Sequence, residues 1–241
     1  DVGATYEEEN NSAVNPAFAD IDENVEFDWV VEHNGAVQRS DYCFRMVQAD
    51  DTPLAAYNFY PTIRTTGYTP VISQWRFYDD ELSVTPSTPL AAENVTPIAV
   101  ANGEVVKLRT TLAEVEGAAG ENLKFALQFS QYADFRDGGT TLAATSTCTA
   151  TSTWCYADGA GTDNATITTA VLSDADPCSG GVGLGCGTRN ETPTSTSNLS
   201  HGALDTIEME FTLQSAGPRV NAVYYFRLLD VATDDTLTAS S

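Results

Sequence analysis

At 241 residues, 42% of them hydrophobic, the chain is long enough for one large or two ordinary domains with a packed core, which excludes global disorder. Its formal net charge is −23, and Lys107 and Lys124 are its lysines. Such a surface repels phosphate backbones and anionic lipid, so no nucleic acid partner is expected; divalent cations, basic partners or plain solubility suit it better. With no run near the roughly 20 apolar residues of a membrane span, membrane insertion is not expected either.

Taken in order, residues 1–22 (YEEENNS, then NPAFADID) are acidic and irregular and read as an exposed arm. Val25–Val31 and Tyr42–Val47 alternate apolar and polar residues and predict a first strand pair; Leu54–Tyr60 predicts a further strand ended by Pro61. Thr65–Pro70 is a turn-rich joint, which divides the chain into residues 1–66 and 67–241. Beyond it, Val71–Tyr78 puts Trp75 and Phe77 on one strand face, and Ser83–Pro97 carries three prolines and reads as loop or edge. Glu104–Leu112 and Asn122–Ser130 alternate as strands around the glycine-bearing turn Glu114–Glu121. Asp137–Asp163 is a long polar stretch, Ala165–Leu172 a short β-branched strand, and Ser173–Leu204 is rich in Gly, Ser and Thr.

The closing stretch Thr206–Leu229 (TIEMEFTLQSAGPRVNAVYYFRLL) repeats Asn24–Val47 (NVEFDWVVEHNGAVQRSDYCFRMV) without a gap. Glu26/Glu208, Gly35/Gly217, Tyr42/Tyr224, Phe44/Phe226 and Arg45/Arg227 are identical, and Val25/Ile207, Phe27/Met209, Trp29/Phe211, Val31/Leu213 and Met46/Leu228 stay apolar. Each copy reads as an antiparallel pair of strands with one buried face, joined through the shared glycine. The strands arrive at short intervals with almost no helical period, so the chain is expected to be all-β, most simply a sandwich.

Asn221–Leu229 resembles the tyrosine-bearing strand of fibronectin type III and immunoglobulin-like domains. The order of Trp75–Glu81 (WRFYDDE), Pro89–Asn94 (PLAAEN), Lys124–Ser130 (KFALQFS) and Tyr224–Leu228 (YYFRL) is similar to bacterial extracellular surface proteins built of repeated units. The resemblance implies an immunoglobulin-like β-sandwich in 67–241, a partial repeat of it in 1–66, and stalk, adhesin or filament roles rather than an activity.

Cys148/Cys155 and Cys178/Cys186 each close a short loop poor in apolar residues, the setting for two local disulfides; Cys43 is left over, either as a free thiol or in an intermolecular bridge. Asn10, Asn94, Asn164, Asn190 and Asn198 head glycosylation sequons. Beginning at Asp1 without Met, the sequence reads as a processed protein, and together these features point to an extracellular, cell-surface location. Asp158, Asp163 and Asn164, in a loop with Gly159 and Gly161, are candidate calcium ligands, without the EF-hand spacing. His33 and His201 lie in no nucleophile frame and no carboxylate pair stands out, so no catalytic residue is assigned and an enzyme is not expected. Trp75, Trp154, Tyr132 and Tyr156 could stack on sugar where exposed. Trp29 and Trp75 fall in phase with apolar alternation and read as core, whereas Trp154, in a polar loop, reads as partly exposed.

If 67–241 is a complete unit, residues 1–66 are the rear of another whose front strands are absent, leaving Phe27, Trp29, Val31, Tyr42 and Phe44 on a face their own segment cannot cover. Such a face is covered by the same chain, by a longer tandem array, or by a neighbouring copy through strand addition. Head-to-tail contacts propagate, so the expected role is a filament or stalk subunit, a homopolymer of this chain. A monomeric adhesin or glycan-binding module is the alternative.

Overall fold

Period-two alternation becomes strand almost wherever the sequence carries it, but the partners are not the ones nearest in sequence. The computed structural model describes residues 2–7, 25–48, 50–144, 148, 152–173, 186–192, 199–217, 221–231 and 235–237. Among these the fold is all-β without a helix, and most strand pairs are antiparallel. The chain separates into two units, Asp1–Thr66 and Gly67–Ser241.

The first unit holds β1 (Val2–Glu7), β2 (Val25–Trp29), β3 (Asp41–Cys43) and β4 (Thr62–Arg64). The predicted pairing of the two strands in Asn24–Val47 does not form. Instead β2 pairs in parallel with β1, and β3 pairs antiparallel with β4, Tyr42 lying across from Ile63. The start of the expected arm is therefore a strand, while residues 8–24 lie outside the described residues. The strand expected at Leu54–Tyr60 is also absent. Pro53 bridges back to Val47, and the Tyr57 hydroxyl accepts from the Leu54 N–H (2.9 Å) and donates to the Met46 carbonyl, which curls this segment. A strand resumes only after Pro61, whose carbonyl accepts from the Phe44 N–H.

The second unit holds β5 (Pro70–Asp79), β6 (Val105–Glu114), β7 (Gly120–Leu123), β8 (Phe125–Ser130), β9 (Thr140–Thr141), β10 (Trp154–Tyr156), β11 (Cys186–Asn190), β12 (Leu199–His201), β13 (Thr206–Ser215), β14 (Tyr225–Asp230) and β15 (Asp235–Thr236). One sheet runs β10-β13-β6-β5, with β11 also on β13; another runs β15-β14-β8-β9; β12 pairs β7. Here too the predicted pair fails: β13 and β14 belong to different sheets. Asn122–Ser130 is two strands, split at Lys124, because β7 pairs β12 while β8 pairs β14. Ala165–Leu172 is not a strand; one bridge joins Thr166 to Thr188. A single core draws on both larger sheets, with Phe77, Leu108, Phe211 and Leu213 from one and Phe125, Leu127 and Leu228 from the other, as in a β-sandwich.

The sheet containing β13 is buried on its second face as well, by charge. Arg109 on β6 donates to Glu208 and Glu210 on β13 (both 2.8 Å), and Arg189 on β11 donates to Glu210 (2.5 Å). Lys107 lies 3.7 Å from Glu210 and 3.4 Å from Asp80. Spare capacity pins the long polar loops. Arg189 donates to the carbonyls of Leu82, Ser83 and Ala160, while Glu208 accepts from the N–H groups of Val171 and Leu172. These loops are thus held by ionic hydrogen bonds in addition to the burial of Ile167 and Leu172. Burial pushes the Glu208 carboxyl up and the Lys107 ammonium down, each opposed by its partners' charge.

Candidate assembly interface

The five residues expected on the uncovered face belong to β2, β3 and the segments after them. The chain covers them poorly. Trp29 is 41% exposed, Val31 59% and Phe44 41%, while Phe27 and Tyr42 are half-buried and Phe27 stacks on Trp29 at 6.1 Å. Trp29 is therefore not the core residue its alternation suggested. Their counterparts in the second unit differ: Phe211 and Leu213 are fully buried, and Tyr224 and Phe226 pack against the core and against Trp154.

The hydrogen-bonding edges differ in the same sense. β13 has β6 on one side and β10 and β11 on the other. β2 has β1 on one side, and among the described residues no strand lies along its other edge. The filled sides correspond: β11 runs parallel to β13 with Arg189 across from Glu210, and β1 runs parallel to β2 with Tyr6 across from Asp28. A bare strand edge presents unpaired N–H and C=O groups, a template for another strand.

The remaining predicted residues do not converge on a single site. Cys148 and Cys155 form a disulfide, Cys186 is disulfide-bonded, and Cys178 lies outside the described residues. Cys43 is free and exposed beside the Thr62 hydroxyl (3.6 Å). Of the sequons, Asn94 is exposed, with its side-chain amide hydrogen-bonded to Gln74 and to the Trp75 N–H. Asn190 is fully buried, and its amide donates to the carbonyls of Thr188 and Glu210. Asn164 is half-buried; Asn10 and Asn198 lie outside the described residues.

In the calcium candidate, Asp158 is exposed, and Asp163 accepts from the N–H groups of Asn164 and Glu191 and from the Thr192 hydroxyl. The Ala160 carbonyl between them accepts from Lys107 and Arg189, so the protein's own cations organise this loop. Among the described residues no three His, Cys, Asp or Glu side chains converge as a metal site. His33 is exposed, and Trp154, expected partly exposed, is buried.

His201, unassigned from sequence, is buried. Its Nε2 faces the Asp205 carbonyl (2.8 Å), which can only accept; the neutral ring therefore carries its proton there and accepts from the Tyr68 hydroxyl at Nδ1 (2.8 Å). A cleft of about 430 Å³ opens beside Trp75, Phe135, Tyr225 and Phe226, with Asp134 and Arg227 at its polar side. The other feature missed in the sequence is the charge pairing of β6 with β13. Its signal is present: Lys107-x-Arg109 in one strand and Glu208-x-Glu210 in another, at strand period. Comparison with protein-family models, curated proteins and solved structures found no match.

Proposed function

We propose that the protein is a structural subunit of an extracellular filament or surface stalk, assembled head-to-tail through β-strand contacts between copies. One observation carries this reading: the second unit buries the repeated strands between neighbours, whereas the first, among the described residues, presents the same residue types with an open edge and a largely exposed apolar face. At roughly 25 cal/mol per Å² of apolar surface, and about 150–250 Å² for each fully buried aromatic, covering that face supplies several kcal/mol to an assembly. In the same reading the second unit is an immunoglobulin-like sandwich and the first is the rear part of another, since β1 on β2 repeats the parallel pairing of β11 on β13. The Cys148–Cys155 disulfide and the exposed Asn94 sequon support a location at the cell surface. Electron microscopy of native material tests the proposal: long polymers are expected, and a folded chain that stays strictly monomeric at high concentration rules it out.

A second reading, a glycan-binding adhesin, is favoured by the cleft, whose half-buried Trp75 and exposed Tyr225 flank polar Asp134 and Arg227. It predicts retention on a glycan array that falls with Tyr225→Ala; absence of retention removes it.

A further inference from the structure

In the second unit each acid facing away from the core on β13 has a cation. Glu210 is held by Arg109 and Lys107 from β6 on one side and by Arg189 from β11 on the other, and Glu208 by Arg109. The repeat keeps the acids, with Glu26 at the place of Glu208 and Asp28 at the place of Glu210. It does not keep the cations. Tyr6 stands across from Asp28 where Arg189 stands across from Glu210, and the strand that would bring the β6 cations is missing from that edge among the described residues. Asp28 is exposed, and among the described residues the ion pair in the first unit joins Arg64 to Asp41 instead (3.9 Å).

We infer that the open edge of β2 takes an antiparallel partner strand bearing basic residues two apart, Lys/Arg-x-Arg, with the second basic residue across from Asp28 and an apolar residue across from Trp29. The register follows from β6 on β13, where Arg109 is across from Glu210, Leu108 from Phe211 and Thr110 from Met209. This deepens, and rests on, the reading of the first unit as an assembly surface. Backbone hydrogen bonds along β2 supply affinity, the apolar positions cover Phe27 and Trp29, and the charges set direction and register. A basic strand also approaches a chain of net charge −23 down a favourable field. In a folded copy β6 is already enclosed between β13 and β5, so the occupant is an unpaired, extended segment of a neighbouring polypeptide with this β6-like pattern.

The probe is a labelled synthetic peptide with the sequence Glu104–Leu112 (EVVKLRTTL), titrated into the full chain at low and high salt. Saturable, salt-sensitive binding is expected, with slowed amide exchange at Val25–Trp29. The peptide carrying Lys107→Glu and Arg109→Glu is expected to bind about tenfold more weakly or worse. The protein carrying Glu26→Lys and Asp28→Lys, changed at an open edge, is expected to reverse that preference. Equal binding of the two peptides, protection elsewhere than β2, no binding at all, or indifference to the charge swap each overturns the inference. Filaments in micrographs together with any of those results leave the assembly reading standing while this one falls; charge-selective binding by a protein that never polymerises does the opposite.

Discussion

Trp29 and Phe211 occupy matching places in two copies of one sequence pattern, yet Phe211 is fully buried and Trp29 is left half in solvent. The same contrast holds for Met46 and Leu228, at 38% and 0% exposure. The strands themselves are alike, down to a parallel neighbour. What differs is the second edge, filled by β6 on β13 and, among the described residues, open on β2. Burial in a sheet protein is thus a property of the neighbours a strand acquires and not of the strand alone.

Paired substitutions break or sharpen this comparison. The largest difference is expected between Phe211→Ala, costing about 3–5 kcal/mol by leaving a cavity, and Trp29→Ala, costing about 1 kcal/mol or less in the unassembled chain. Equal losses in urea unfolding would mean the two places are not distinct. Next comes Arg109→Leu, which strips a partner from two buried carboxylates at about 3–5 kcal/mol, against Asp28→Asn, expected within about 0.5 kcal/mol. Arg109→Lys should recover only part, because one ammonium cannot make the forked contact with Glu208 and Glu210. Smaller again is a glycine pair. Gly161 has φ +120°, and a Cβ there would lie 1.5 Å from Arg189 Nη1, so Gly161→Ala displaces the arginine and costs about 1–3 kcal/mol. Gly35 has φ +70° and nothing within 4 Å, so Gly35→Ala meets only backbone strain of about 1 kcal/mol.

The smallest effect is a pH slope confined to the second unit. Burial holds the His201 imidazole below its ordinary value of 6.5, against the opposing influence of Asp205 and Glu114. The unfolded chain therefore takes up a proton that the folded chain refuses, so this contribution is complete above pH 6.5 and is lost as pH falls towards the folded value. Melting temperature of the second unit should drop between pH 7 and 5, and His201→Gln should flatten that slope; an unchanged slope would assign it to other groups.

Much of this was legible in residue order. Val71–Tyr78 and Glu104–Leu112 alternate cleanly and are strands, and Ser83–Pro97, with its prolines, is not. The hairpins were misread because a long connection looks the same whether its strands pair or part. The segment between Trp29 and Asp41, like that between Ser215 and Tyr225, exceeds the 2–5 residues of a tight hairpin and is long enough to cross from one sheet to another. β1 was hidden because a strand with one neighbour needs few apolar residues, and Ala165–Leu172 misled because its β-branched residues serve a loop pinned by Glu208. For the proposed assembly surface, the apolar residues were identifiable by themselves, whereas the charge pattern inferred for its partner was not. That requirement emerges only once Arg109 is seen across from Glu210.

The sequence by itself determined which segments extend and which side of each is apolar, since those follow from the two-residue period of a strand and from the transfer of hydrocarbon out of water. Tertiary structure alone decided which strand lies beside which, and hence which of two equivalent aromatics is sheltered. Backbone N–H and C=O groups are the same in every strand, so partner choice rests on side-chain packing and charge brought together from distant parts of the chain.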